Sequence, residues 1–174
     1  MSEQTGFSSA VIVAGGSGSR MGRPKQMLPL GGKPVLVRTV EAFLQTPEIK
    51  EIVVVTPSEN RAELQKRFPG IVFADPGKTR LLSVKNGFLK TSAASQLVAV
   101  HDGARPLVEP AHISACLQAA RQYGAAVLAV PVKDTVKVCE GGFVQNTLDR
   151  AVLWAAQTPQ CYRRPVLAEA LEKF

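Results

Sequence analysis

"SSAVIVAGGSGSRMGRPKQ" occupies residues 8–26, and its reading decides the fold. The first half is a short apolar run that stops at glycines, as a buried strand does when it feeds a loop. The second half sets Gly15, Gly16, Gly18 and Gly22 beside Arg20, Arg23 and Lys25. A plain turn, a dinucleotide cradle and a grip on a strong anion are the three readings to separate. The dinucleotide fingerprint needs Gly-x-Gly-x-x-Gly, whereas Gly16, Gly18 and Gly22 are spaced one residue too widely. The acid expected at the end of a second strand is Glu41, which falls inside a helical pattern. The P-loop fails as well, because Gly22 is followed by Arg23 and Pro24 rather than Lys and Ser or Thr. What remains is a strand, a glycine turn and fixed cations. Glycines let backbone N–H groups approach a polyphosphate closely. Arg20 can clamp phosphate oxygens through two bonds, and Pro24 restrains the loop so that Lys25 points to one place. These are the parts that phosphoryl or nucleotidyl transfer needs, since that chemistry asks for alignment and charge stabilisation.

Downstream the pattern repeats. Helical spacing covers residues 33–45, and an apolar strand over 51–57 is halted by Pro57. A helix over 58–68 is expected to start at Ser58 as its N-cap. A strand over 70–75, a helix over 79–91, a strand over 96–102, a helix over 109–124 closed by Gly124, and a strand over 125–134 follow. Alternating helices and continuous apolar strands predict an α/β, Rossmann-like fold with a mainly parallel sheet covered on both faces. Ligands of such sheets bind at the carboxyl ends of the strands. Two polar segments lie there: the opening loop, and "HDGARP" at residues 101–106. In the latter, Asp102 is a candidate for Mg²⁺ or ribose hydroxyls, Gly103 allows close approach, and Arg105 can take an anion. His101 reads as a packed or hydrogen-bonded histidine, since attack by a phosphate at neutral pH needs no base.

After residue 134 the rhythm breaks. "DTVKVCEGGFVQNTLDR", residues 134–150, alternates around Gly141-Gly142 and predicts a β-hairpin, either an arm that projects toward a second subunit or a hairpin lying on its own domain. Residues 163–174 read as a helix with Pro165 near its start. The chain is expected to form one domain over residues 1–174.

Composition narrows the partners. The chain has 174 residues, 45% of them apolar, and a net charge of +7, which fits an enzyme of phosphorylated substrates. A nucleic-acid surface is disfavoured: there is no run of basic residues, and Trp154 is the single tryptophan. Cys116, Cys139 and Cys161 are far apart, with no Cys-x-x-Cys pair, and read as reduced thiols. No signal pattern or membrane-length apolar run is present, and the expected location is the cytoplasm.

Taken in order, "AGGSGSRMGRPKQ", "HDGARP", "PVKDTVKV" and "LDRAVLWAAQTPQ" resemble the 2-C-methyl-D-erythritol 4-phosphate cytidylyltransferases over almost the whole chain. That resemblance implies cytidylyl transfer from CTP to the sugar-alcohol phosphate, with Mg²⁺ as cofactor and a homodimer joined through the arm. It implies that Arg20 and Lys25 stabilise the transition state at the α-phosphate. The nucleotide would be held by Ala14, Gly15, Gly16, Gly18, Gly77, Ser83, Asp102 and Gly103. The acceptor would be held by Arg105 and Thr158, with Thr135 and Arg150 reaching it from the partner's arm. Asp102 would be the metal ligand. The family has two glycines where this chain has Pro76-Gly77, and it continues past Phe174 with an Asp-rich turn and a lysine, so a missing C-terminal segment is expected. Nearby alternatives are nucleotidyltransferases of ribitol phosphate or of the molybdenum cofactor, which share "RMG…PKQ…LPL" features, and a non-catalytic nucleotide-binding domain.

Overall fold

The computed structural model describes residues 6–16, 18, 22 and 24–173. Arg20, the first of the expected catalytic cations, lies outside the described residues. In chain order the elements are β1 (Ser8–Val13), β2 (Pro29–Leu30), β3 (Lys33–Pro34), α1 (Val35–Leu44), β4 (Ile49–Val55), α2 (Arg61–Arg67), β5 (Val72–Ala74), α3 (Arg80–Phe88), β6 (Leu97–Asp102), α4 (Pro110–Tyr123), β7 (Ala125–Pro131), β8 (Lys137–Glu140), β9 (Phe143–Thr147), β10 (Trp154–Arg163) and α5 (Arg164–Glu172).

A six-stranded sheet in the order β5-β4-β1-β6-β10-β7 forms the centre. The strands β5, β4, β1 and β6 are parallel to their neighbours. β10 runs antiparallel to both β6 and β7, so the expected mainly parallel sheet carries one reversed strand. That strand was not legible: Gln157, Pro159 and Gln160 break any apolar alternation, and its ladder shifts register between Ala156 and Gln160.

Alternation along each strand divides the core in two. Ala10, Ile12, Ile52, Val54 and Ala99 point to the face covered by α1, α2 and α4, where Leu36, Val40, Phe43, Leu64, Ile113 and Leu117 pack. Val11, Val53, Val55, Val98 and Val100 point to the other face, covered by α3 and α5 through Val84, Phe88, Leu167 and Leu171. α1 forms because Leu36, Val37, Val40 and Phe43 recur on one helical face, and all four are buried. The helix expected from residue 58 begins later. Ser58–Asn60 makes a 3-10 turn, α2 starts at Arg61, and neither start has a side-chain cap, so Ser58 is not the N-cap. By contrast, Thr79 caps α3 by accepting a hydrogen bond from the Leu82 N–H at 3.2 Å.

β8 and β9 form the expected hairpin. Gly141 and Gly142 turn it with φ of +59° and +84°, a left-handed pair that L side chains adopt at a cost. All nine strand residues of the hairpin are exposed, so it does not lie on its own sheet. Phe143 is 75% exposed and Val144 59%, which leaves an apolar arm projecting from the body.

Candidate active-site cleft

The register of the sheet builds the site. Val13 pairs with Asp102, so the glycine loop and the "HDGARP" segment leave neighbouring strands side by side at their carboxyl ends. Gly103 fastens the two: its N–H donates to the Val13 carbonyl at 2.8 Å, and its own carbonyl accepts from the Thr39 hydroxyl at 3.1 Å. A side chain at this glycine would lie 2.9 Å from the Ala14 Cβ and 3.2 Å from the Val13 carbonyl oxygen. Gly103 therefore stands behind the cleft and permits its two walls to meet.

The cleft itself measures about 810 Å³. Ala14, Gly15, Gly16, Gly18 and Lys25 form one side, Gly77 and Ser83 a second, and Asp102 with Arg105 the floor. Sequence reasoning had proposed all nine for the site. Lys78 and Arg80, which fall in the segment 76–84 that the resemblance places at the nucleotide but were not named individually, line it too. Among the described residues the lining carries four cations, Lys25, Lys78, Arg80 and Arg105, against one carboxylate, Asp102. A site with that charge balance suits a polyphosphate.

Asp102 is gripped from both sides. Its Oδ1 accepts from Arg80 Nε at 3.0 Å and Nη2 at 2.9 Å, and its Oδ2 accepts from Arg105 Nε at 3.2 Å. Arg105 also donates to the Gln157 side-chain carbonyl of β10. The pairing holds two guanidinium groups at fixed positions, which lowers the ordering cost when an anion arrives.

Behind this row, Thr158 is buried, and its hydroxyl accepts from the Asp102 N–H at 3.3 Å. Thr158 thus supports Asp102 rather than lining the cleft. Ser83 is also tied down: its hydroxyl accepts from the Gly77 N–H at 2.9 Å and donates to the Thr79 carbonyl at 3.0 Å, which shapes the turn from 77 to 79. Thr135 and Arg150 are not brought to this cleft. Both are exposed on the arm, where Arg150 Nη1 donates to the Lys133 carbonyl at 3.0 Å.

Gln26 was missed as a functional residue, although it closes the opening motif. It is buried, and its Nε2 donates to the carbonyls of Ala14 and Gly16, both at 2.9 Å. This single amide stitches the glycine loop to the 3-10 turn Lys25–Met27. His101 is wholly buried beside Phe43, with ring centroids 5.0 Å apart. Burial pushes its pKa down to about 4, so it is neutral and its Nε2 donates to the Arg105 carbonyl at 3.1 Å. His101 is therefore the packed, hydrogen-bonded histidine expected, buried behind the floor of the cleft rather than lining it.

A parallel sheet with an anion cleft at its glycine-loop edge defines a nucleotidyltransferase-like α/β protein. The family model described as IspD, 2-C-methyl-D-erythritol 4-phosphate cytidylyltransferase, matches residues 8–174, and the chain belongs to that family. A curated relative of that name from Geobacillus thermodenitrificans is 42% identical over 172 residues, spanning 94% of this chain and 75% of the relative. The solved 4-diphosphocytidyl-2C-methyl-D-erythritol synthase of Anaerococcus prevotii superposes with a TM-score of 0.87 at 29% identity, covering 97% of this chain and 76% of the other. The Francisella tularensis 2-C-methyl-D-erythritol 4-phosphate cytidylyltransferase gives 0.80 at 32% identity, covering 96% and 77%. No helix among the described residues is long and apolar enough to cross a membrane.

Proposed function

We propose that the chain transfers the cytidylyl group of CTP to 2-C-methyl-D-erythritol 4-phosphate, giving the CDP-sugar alcohol and pyrophosphate. The observation that carries this reading is the cationic cleft at the carboxyl ends of β1 and β6, in a chain of this family. In the reaction a phosphate oxygen of the acceptor attacks the α-phosphorus of CTP. One P–O bond forms, the bond to the β-phosphate breaks in line, and pyrophosphate leaves with the electron pair. No protein nucleophile is needed, because the acceptor's own phosphate oxygen attacks.

The residues act by position. The backbone of residues 14–16 and 77–79 faces the nucleotide, where a small pyrimidine suits a pocket built largely of main chain. Lys25 steadies the negative charge that grows on the α-phosphate, a contribution on the order of 3 kcal/mol by analogy with other preorganised donors. We assign Arg20 the same role. As phosphates enter, they compete with Asp102 for Arg80 and Arg105. Asp102 is the one carboxylate of the cleft among the described residues, and a donor set of one carboxylate plus phosphate oxygens and water fits Mg²⁺. Asp102 would hold that ion, and Mg²⁺ when bound supplies neutralisation of the triphosphate.

Thr135 and Arg150 have no part in their own chain's cleft, so we assign them to the acceptor phosphate in the cleft of a second copy, reached by the arm. The exposed Phe143, Val144 and Trp154 support that docking, since isolated apolar arms are costly in water. Free cysteines at 116, 139 and 161 are consistent with a cytoplasmic enzyme. The test is pyrophosphate release from CTP with a panel of acceptors. Methylerythritol phosphate is expected to exceed ribitol phosphate by at least tenfold in kcat/KM; equal rates, or binding of CTP without turnover, would refute the assignment.

A further inference from the structure

At the other end of the sheet three arginines meet over a second cavity. Arg121, Arg163 and Arg164 line a hollow of about 480 Å³. Chain geometry brings them together: Arg121 lies in the last turn of α4, Arg163 ends β10, and Arg164 opens α5. Arg163 pairs in the sheet with Leu97, the first residue of β6, whereas Asp102 in the cleft is the last. At the usual strand rise, the two sites are separated by about 17 Å.

All three guanidinium groups are held, and among the described residues no carboxylate pairs with any of them. Arg163 donates through Nε and Nη2 to the Arg121 carbonyl at 3.0 and 2.6 Å, and through Nη2 to the Gln122 carbonyl at 3.1 Å. Arg164 Nη1 donates to the Thr91 hydroxyl at 2.7 Å while its guanidinium lies 4.5 Å from the centre of the Phe88 ring. Arg121 Nη1 donates to the Gln96 side-chain carbonyl at 3.2 Å. Every acceptor is a neutral oxygen. Among the described residues no acid lines the hollow and none of these arginines forms an ion pair. A guanidinium carries five N–H donors, so each retains some that these bonds leave unused. Arg61, Arg67, Arg80 and Arg105 pair with carboxylates, whereas Arg38 and Arg150 donate to backbone carbonyls; what sets this place apart is that three such arginines line one hollow. Three rigid, mutually repelling cations around a concavity are stabilised by an anion placed among them. The remaining wall sets apolar Ala93, Ala94, Leu97 and Pro165 beside Ser95 and Gln96.

We propose that this cavity is a second ligand site, distinct from the cleft, that takes a small organic phosphate or diphosphate ester. Its phosphate sits on Arg121, Arg163 and Arg164, and its short apolar body lies against the alanine and proline wall. A concave hollow of this size suits a small molecule rather than a polymer or a membrane.

Titration of the isotopically labelled chain with butyl phosphate, followed through backbone amide resonances, tests the site. Saturable shifts are expected at residues 94–97 and at Val166 and Leu167, separate from any at Gly16 and Ser83 in the cleft. Arg121→Gln should weaken this binding at least tenfold while leaving the cleft resonances and their response unchanged. Ala94→Glu, which adds a competing carboxylate and removes no existing bond, should do the same and guards against an unstable arginine variant. Inorganic phosphate should bind several-fold more weakly than the butyl ester. The proposal is overturned if shifts are confined to the cleft or fail to saturate, or if both variants bind within threefold of the parent. Equal affinity for inorganic phosphate would overturn the organic-ester assignment, and a response only to RNA or to anionic vesicles would overturn the small-molecule site.

Discussion

Replacing Gln26 with methionine asks how much of the cleft depends on one amide. Methionine keeps the length and the buried stem and removes only the donors. Two hydrogen bonds of 2.9 Å are lost, to the carbonyls of Ala14 and Gly16. A neutral hydrogen bond contributes about 1 kcal/mol net, so the pair contributes about 2 kcal/mol. Ala14 is 3% exposed, and water cannot readily replace its lost partner, so the cost is expected at about 2–3 kcal/mol.

Two readouts divide that cost between the fold and the loop. Urea unfolding measures the global share through the midpoint, with the slope unchanged. Pyrophosphate release measures the catalytic share. Were 2 kcal/mol to fall wholly on loop alignment, kcat/KM would drop roughly 30-fold, at 1.36 kcal/mol per factor of ten. Gln26→Glu is the matched control, since it has the same shape but turns an oxygen toward two carbonyls. It should be the more damaging at pH 8, and should recover partly near pH 5 as protonation restores one donor. If the methionine variant unfolds within 0.5 kcal/mol of the parent, on the order of ordinary surface changes, and keeps kcat/KM within twofold, Gln26 does not organise the loop.

Four further outcomes follow from the same geometry. Since burial lowers the His101 pKa from 6.5 to about 4, the unfolded chain binds a proton on acidification before the folded one does. The stability this group contributes is complete above pH 6.5 and is lost as pH falls toward 4, about 3 kcal/mol in all, and a His101→Phe variant should show a flatter decline by urea unfolding; equal slopes would refute it. Lys25→Ala should lower kcat about 100-fold with CTP affinity nearly unchanged, and an equal loss in both would show uniform binding instead. Chelation of divalent ions should abolish turnover and leave the melting temperature of the free protein unaltered, because the described residues contain no cluster of three or more metal-ligating side chains. Mixing an Arg150→Ala chain with a Lys25→Ala chain should restore part of the activity if the arm reaches a second cleft; no recovery in proven heterodimers would confine each site to one chain.

The parts of the fold legible in the sequence were those whose signal is local. β1, β4 and β6 are buried on both faces, so their apolar runs stand out, and Gly141-Gly142 marks its turn without help from the rest of the chain. Parallel strands share one carboxyl edge, which is why the glycine loop and Asp102 could be placed together before any contact was known. What stayed hidden depends on distant partners. Arg80 lies 22 positions from Asp102 and meets it only because α3 begins where β6 ends, at the same rim. Gln26 resembles any polar residue after a basic loop until the carbonyls it satisfies are seen. Ser58 has a good capping side chain, yet the chain enters α2 through a 3-10 turn and makes no use of it.

The strand that escaped notice, β10, also explains how the arm and the cleft belong to one machine. It begins at Trp154, directly after the arm, and the Val132 N–H donates to the Leu153 carbonyl at 3.0 Å, so the root of the arm is an extension of the β7–β10 ladder. A few residues later the same strand presents Gln157 to Arg105 and the Thr158 hydroxyl to the Asp102 N–H. Beyond the register shift it pairs with both β6 and β7, locked by a wholly buried Cys161. A force on the arm is therefore applied to a strand whose middle supports Asp102, the only carboxylate of the cleft among the described residues, and whose far half is paired on both sides. If arms exchange between two copies, docking would set the position of Gln157 and Thr158, and through them the two arginines that await the phosphates. Antiparallel insertion of β10 achieves this with ten residues, whereas a parallel strand in its place would have turned its carboxyl end toward the cleft and separated the arm from it.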